Sequence, residues 1–135
     1  MPLITWENKF SVGVKELDNQ HKKLIELINE LYDSMRAGHG KDVLKQILND
    51  LLEYTKYHFD TEEKYFIKYN YYGKTEHMKE HAELKEKVMD LKQKVDGGKA
   101  VISNEILQFL KNWLSTHIME SDKRYSSFFN DNGLN

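Results

Sequence analysis

Five of the six histidines in this chain fall, with two carboxylates, into one recurring arrangement. His21 stands alone, His58 and Glu62 form H-x-x-x-E, His77 and His81 form H-x-x-x-H, and His117 and Asp122 form H-x-x-x-x-D. In a helix, residues four apart are separated by about 40° around the axis and about 6 Å along it. The two histidine-led i,i+4 pairs therefore each aim two donor atoms at one point. Four such segments turned inward converge on the middle of a helical bundle, where bundles build their metal sites. The chain has no cysteine, so any metal is held by nitrogen and oxygen alone. The spacing predicts a centre for two metal ions.

A lone histidine on an apolar stripe, such as His21, is ordinarily a hydrogen-bonded core residue, but here it does not stand alone. A buried Glu62 without a cation costs several kcal/mol, on the order of a lost ion pair. His77 and His81 are placed inside by the apolar continuation Leu84, Val88 and Leu91, which leaves Glu76, Glu80 and Glu83 outside. Asp60 and Glu63 read as solvated face, and His39, between two glycines, as an exposed turn residue outside the set. Residues five apart differ by about 140° on a regular helix, so His117 and Asp122 require a local widening with i→i+5 bonding or a frayed last turn.

Coordination chemistry narrows the metal. Two octahedral ions offer twelve positions; five imidazoles and two carboxylates bridging through both oxygens fill nine, a bridging oxide or hydroxide two more, and one stays open. An imidazole-rich, thiolate-free, carboxylate-bridged pair suits iron better than zinc, which prefers tetrahedral sites, or calcium, which takes only oxygen. Phe59, Trp113 and Ile118 are the expected walls of a small dry pocket at the open position, sized for a ligand such as dioxygen.

The elements that must position these residues follow from the apolar period. The first helix opens near Asp18 as its N-cap and carries His21, Leu24, Ile28, Leu31 and Met35 until Gly38. The second puts Leu44, Ile47, Leu51, Tyr54 or Thr55, His58, Glu62 and Phe66 on one face and ends at the turn from Asn70 to Gly73. The third runs through His77, His81, Leu84, Val88, Leu91 and Val95 to Gly97 and Gly98. The fourth opens near Ser103 and turns Ile106, Leu110, Trp113 and His117 inward. Short connections make this an all-α, antiparallel up-down-up-down four-helix bundle. One domain over residues 1–135 is expected, with residues 1–17 an extended arm whose Trp6 and Phe10 lie over one end; Pro2 interrupts no helix.

A net charge of -2, 39% hydrophobic and 31% charged residues describe a globular chain with no basic patch for nucleic acid. No apolar run is long enough for a membrane span, and the N-terminus has neither the basic start nor the apolar stretch of a signal peptide. A cytoplasmic location is expected.

With these residues in place, the chain resembles the hemerythrins, and in particular their single-domain bacterial members. The resemblance is carried by W-E-N-K-F-S-V-G-V from Trp6 to Val14, L-D-N-Q-H-K-K-L from Leu17 to Leu24, H-F-D-T-E-E from His58 to Glu63, H-M-K-E-H from His77 to His81, and W-L-S-T-H-I-M-E-S-D-K-R-Y from Trp113 to Tyr125. It implies two non-haem iron ions with a bridging oxo or hydroxo group, and reversible dioxygen binding for storage, transport or delivery to an oxygen-consuming enzyme. It also implies that His77, His81 and His117 hold one iron, His21 and His58 the other, and that Glu62 and Asp122 bridge them. After the Glu62-Glu63 pair, where the family often has a methionine, this chain has Tyr65 and Phe66. The expected protein is a monomeric oxygen binder and not an enzyme. A di-iron oxidase, a peroxidase, a nitric oxide-handling enzyme and an oxygen sensor acting through a partner are the alternatives. Oxygenases of this kind usually carry more carboxylate ligands, and five neutral imidazoles favour binding over oxidation.

Overall fold

A computed structural model describes residues 3–38, 40–98 and 103–135. The readings of Pro2 and His39 lie outside the described residues. The bundle consists of α1 (Lys15–Arg36), α2 (Lys41–Lys68), α3 (Lys74–Asp96) and α4 (Asn104–Thr116). Beyond α4 the chain continues through a widened turn at His117–Ser121 and a tight 3-10 turn at Asp122–Tyr125 into the short helix α5 (Ser126–Asp131). α1 packs along α2, α2 along α3, and α4 returns against α1.

The apolar period of α1 buries Leu17, Leu24, Ile28 and Leu31 in line with His21. Each such side chain taken from water contributes about 2 kcal/mol, so the stripe decides how the helix faces the core. Gly38, at φ +74°, ends the run in the left-handed conformation that a side chain would resist. In α2 it is Thr55 and not Tyr54 that is buried, and its hydroxyl donates to the Leu51 carbonyl at 2.7 Å. α3 is the least buried of the four: between His81 and Val95 only Val88 is fully covered, with Leu84 and Leu91 half-buried.

Two expectations are corrected. The first helix begins at Lys15, so Asp18 is not its N-cap, and the arm is shorter than residues 1–17. Asp18 lies in the first turn and holds the arm instead. It accepts from the Ser11 hydroxyl at 2.6 Å and the Val12 N–H at 2.8 Å. Asn29 pairs with both backbone groups of Ile4, at 3.0 and 2.8 Å, so the arm lies fixed along α1 with Phe10, Val12 and Val14 buried. Trp6 packs 5.9 Å from Phe10 and is half-buried. In α4, which Ser103 caps through the Ile106 N–H, the buried stripe is Leu107, Leu110 and Leu114. Ile106 and Trp113 are half-buried flanks, one position round from the expected face.

Candidate metal centre

All five imidazoles and both carboxylates meet in the bundle interior, none more than 6% exposed. The i,i+4 spacing does this directly on α2, for His58 and Glu62, and on α3, for His77 and His81. On the fourth helix the irregular spacing is met by an irregular backbone. The Asp122 N–H bonds to the His117 carbonyl, five residues back, and the extra residue in that turn brings Asp122 round to the side of His117.

The donor atoms crowd one small space. His21 Nε2 lies 2.9 Å from Asp122 Oδ2, and His77 and His117 Nε2 lie 2.8 and 3.1 Å from Asp122 Oδ1. His58 and His81 Nε2 each lie 3.2 Å from Glu62 Oε1. Close as they are, none of these contacts has the alignment of a hydrogen bond: all five Nε2 atoms, Glu62 Oε1 and both Asp122 oxygens are buried without a partner. Buried polar atoms seldom go unsatisfied, and a cluster of eight marks a missing cation. The atoms divide into two overlapping groups, each within 4.8 Å: Glu62, His77, His81, His117 and Asp122, and His21, His58, Glu62 and Asp122. Two cations fit this donor set, sharing both carboxylates, one with five protein residues around it and the other with four.

The opposite edges of two of the imidazoles are also held, while His21 Nδ1 is buried without a partner. His58 Nδ1 is 2.7 Å from Gln20 Oε1, and His81 Nδ1 is 2.8 Å from Glu63 Oε2. With Nδ1–H donating to these oxygens, Nε2 is left as a lone pair aimed at the cavity. Glu80 Oε2 stands 3.6 Å from His117 Nδ1, a charge contact and not a hydrogen bond. Tyr125 donates its hydroxyl to Glu62 Oε2. Glu63 is thus not solvated face, and Glu80 is not simply outside. Their partners lie on other helices, and Gln20 faces a histidine 38 residues away, so spacing within one helix carries no trace of either pairing.

Burial pushes the His58 imidazole down from its ordinary value. For His81, burial opposes protonation, but contact with Glu62 and Glu63 prevails and raises it to about 9. Burial would raise both carboxylates, and the charge of Asp122 would raise Glu62 further. The charge of His117 and contacts with His21 and His77 nonetheless hold Asp122 well below its usual range, and His58 and His81 do the same for Glu62. Burial, then the charges of Asp122 and Glu62, push the Tyr125 phenol well up. Without a metal, His81 and His117 are the imidazoles that the carboxylates favour in their protonated form.

Of the three expected pocket residues, Phe59 and Ile118 are fully buried and Trp113 half-buried. Phe59 stacks face to face on His81, 3.8 Å away and 5° from parallel, with His117 at 5.8 Å, His58 at 6.0 Å and Trp113 at 6.1 Å around it. Trp113 lies parallel to His117 at 6.0 Å. Two of the three walls therefore stand against the five-residue group.

The family model described as the hemerythrin HHE cation binding domain matches residues 12–128. A bacteriohemerythrin of Methylococcus capsulatus is 33% identical over 126 residues, covering 93% of this chain and 95% of the relative. A hemerythrin-like protein of Naegleria gruberi is 35% identical over 120 residues, covering 89% and 88%. A crystal structure of wild-type hemerythrin superimposes with a TM-score of 0.89 at 31% identity, covering 93% of this chain and 96% of that one. Matching along nearly the whole length, in sequence and in fold, leaves one conclusion: the chain belongs to the hemerythrin family.

Proposed function

We propose that this chain binds dioxygen reversibly at a non-haem di-iron centre held by His21, His58, Glu62, His77, His81, His117 and Asp122. The observation that carries the reading is the set of eight orphaned donor atoms, divided five residues to four around two shared carboxylates. The smaller group leaves room for a small external ligand at one ion and not at the other. When bound, a ferrous pair supplies the two electrons that dioxygen draws on when held and returns when released.

The chain's own residues do the rest. Gln20 and Glu63 fix the tautomers of His58 and His81, and Tyr125 fixes the rotation of Glu62. Phe59 and Ile118 keep water away from the donors. The five imidazoles are neutral ligands, and the two carboxylates alone offset the charge of the pair. This favours holding oxygen over using it for oxidation, so the proposed role is storage, transport or delivery to an oxygen-consuming enzyme, and not oxidation of a substrate by the oxygen held. No helix among the described residues is long and apolar enough to cross a membrane, and the proposed setting is a cytoplasmic monomer. Protein loaded with iron should carry about two irons per chain, matching the two donor groups, and should take up oxygen and release it under vacuum over repeated cycles. A single bound zinc, or steady consumption of oxygen with a reductant, would overturn the proposal.

A further inference from the structure

Tyr125 does more than position Glu62. It is fully buried, and four aromatic rings surround it: Phe129 at 4.8 Å, Phe66 and His77 at 5.7 Å and Tyr71 at 6.4 Å. Tyr71, also buried, lies 4.9 Å from Tyr72, which is 80% exposed. The tyrosines 125, 71 and 72 thus form an unbroken file from a carboxylate of the metal centre to the surface. Phenylalanine rings are too hard to oxidise to act as stations, and His77 belongs to the metal centre, so of these four neighbours only Tyr71 continues the file outward. Packing does not explain its outer end, because a side chain as exposed as Tyr72 gains little from burial.

We infer that Tyr125, Tyr71 and Tyr72 form a relay that carries oxidising equivalents outward from the metal centre when it meets hydrogen peroxide, discharging them at Tyr72 to a soluble hydrogen-atom donor of the ascorbate class. The inference rests on the di-iron reading of the centre and goes beyond oxygen binding.

Reduction of one hydrogen peroxide to two waters takes two electrons, which two passages of the relay supply, and two protons, which come from water and are replaced there by those the outer tyrosines release. In each passage Tyr125 would give up an electron toward the metal pair while its proton shifts toward Glu62 Oε2, along the hydrogen bond already in place. Tyr71 then restores the electron to Tyr125, which takes its proton back from Glu62. Tyr71 lines an open cleft with Glu76 and Arg124, so its own proton leaves to water there. Tyr72 refills Tyr71 in the same way, and the donor refills Tyr72 with one hydrogen atom. Two donors are oxidised for each peroxide, and the protein ends unchanged. Without a donor, Tyr72 phenoxyls on two chains couple through carbon to a dityrosine.

The test uses iron-loaded protein whose iron content and oxygen cycle have been verified, treated with hydrogen peroxide without donor and freeze-quenched for electron paramagnetic resonance. Wild type should show a tyrosyl radical and, on thawing, fluorescent dityrosine-linked dimers; ascorbate should abolish both. Tyr72→Phe should lose the dimers while keeping a radical. Tyr71→Phe should confine the radical to the buried ring, with a fixed-geometry spectrum, and also lose the dimers. Tyr57→Phe, an exposed tyrosine outside the file, should match wild type. Tyr125→Phe removes a buried hydroxyl, so its iron content is measured as well. Dimers at wild-type yield from iron-loaded Tyr71→Phe, or no tyrosyl signal from wild type that cycles oxygen normally, would overturn the relay alone. Failure of wild type to hold two irons would overturn the di-iron reading and the relay with it.

Discussion

The two carboxylates are the residues on which the centre depends most. Without Glu62 or Asp122, the imidazole donors would surround two cations with half the neutralising charge gone. Glu62→Ala and Asp122→Ala should each lose bound iron while the helices still form, as metal analysis beside circular dichroism will show. Glu63→Gln keeps the shape but weakens the hydrogen bond that orients His81 Nε2. Its metal affinity should fall by about 10- to 100-fold, the usual effect of losing such an outer partner, and competition with a chelator measures it. Proton linkage supplies a further test. In the empty site His81 is raised from 6.5 to about 9, so its contribution to metal-free stability is full below pH 6.5 and is lost as pH rises through about 9. Iron competes with that proton for Nε2, so metal affinity moves the other way. The gap in melting temperature between loaded and empty protein should widen from pH 6.5 to 9; a gap that narrows would show that His81 is not protonated in the empty site. Ile118→Asn, which puts a polar group into a dry wall, should admit water and speed the oxidation of oxygen-loaded protein to its inactive ferric form, followed by its optical spectrum.

At the scale of elements, the widened turn at His117–Ser121 couples two requirements. It brings Asp122 to the side of His117, and its extra residue sets the rotation of everything beyond, including Tyr125 and Phe129. Deleting the exposed Met119 would convert H-x-x-x-x-D into a regular i,i+4 pair. His117 and Asp122 would still converge, and Tyr125 and Phe129, which follow Asp122 at unchanged spacing, would keep their places in the core. The deletion should therefore retain metal and melt close to wild type, as calorimetry on loaded and metal-free protein will show. The arm is a second dependent element. Asp18→Ala removes two hydrogen bonds to it, and a loss of about 1–3 kcal/mol in chemical denaturation is expected. A side chain at Gly13, where φ is +72° and a Cβ would sit 3.0 Å from Asn130 and Ser126, should loosen the same corner.

For the whole molecule, metal and fold are one equilibrium. The four helices meet around a core that includes seven ionisable residues, and α3 contributes little apolar burial of its own in its outer half. A ligand that binds only the folded chain stabilises it by about 2.7 kcal/mol at a hundredfold excess over its dissociation constant. Removing iron should lower the melting temperature and raise amide exchange first in α3, whose His77 and His81 would lose their shared cation. Uniform loosening across all four helices would instead indicate that α3 is held by its apolar contacts.

What the sequence determined by itself is whatever repeats within a helix. The period of 3.6 residues put His21, His58, Glu62, His77 and His81 on apolar faces, and the odd step from His117 to Asp122 required a local irregularity that the i→i+5 turn supplies. Each of these is a relation between residues a few positions apart, which helix geometry converts into direction. The structure alone decided what passes between elements. Gln20 behind His58, Glu63 behind His81, Tyr125 on Glu62 and Phe59 flat on His81 join different helices. An aspartate early in a helix looks the same whether it caps the helix or ties down an arm, so Asp18 was legible as important but not in its role. Such pairings depend on the crossing and rotation of packed helices, and those are set by the summed fit of the whole core, not by any local run of residues.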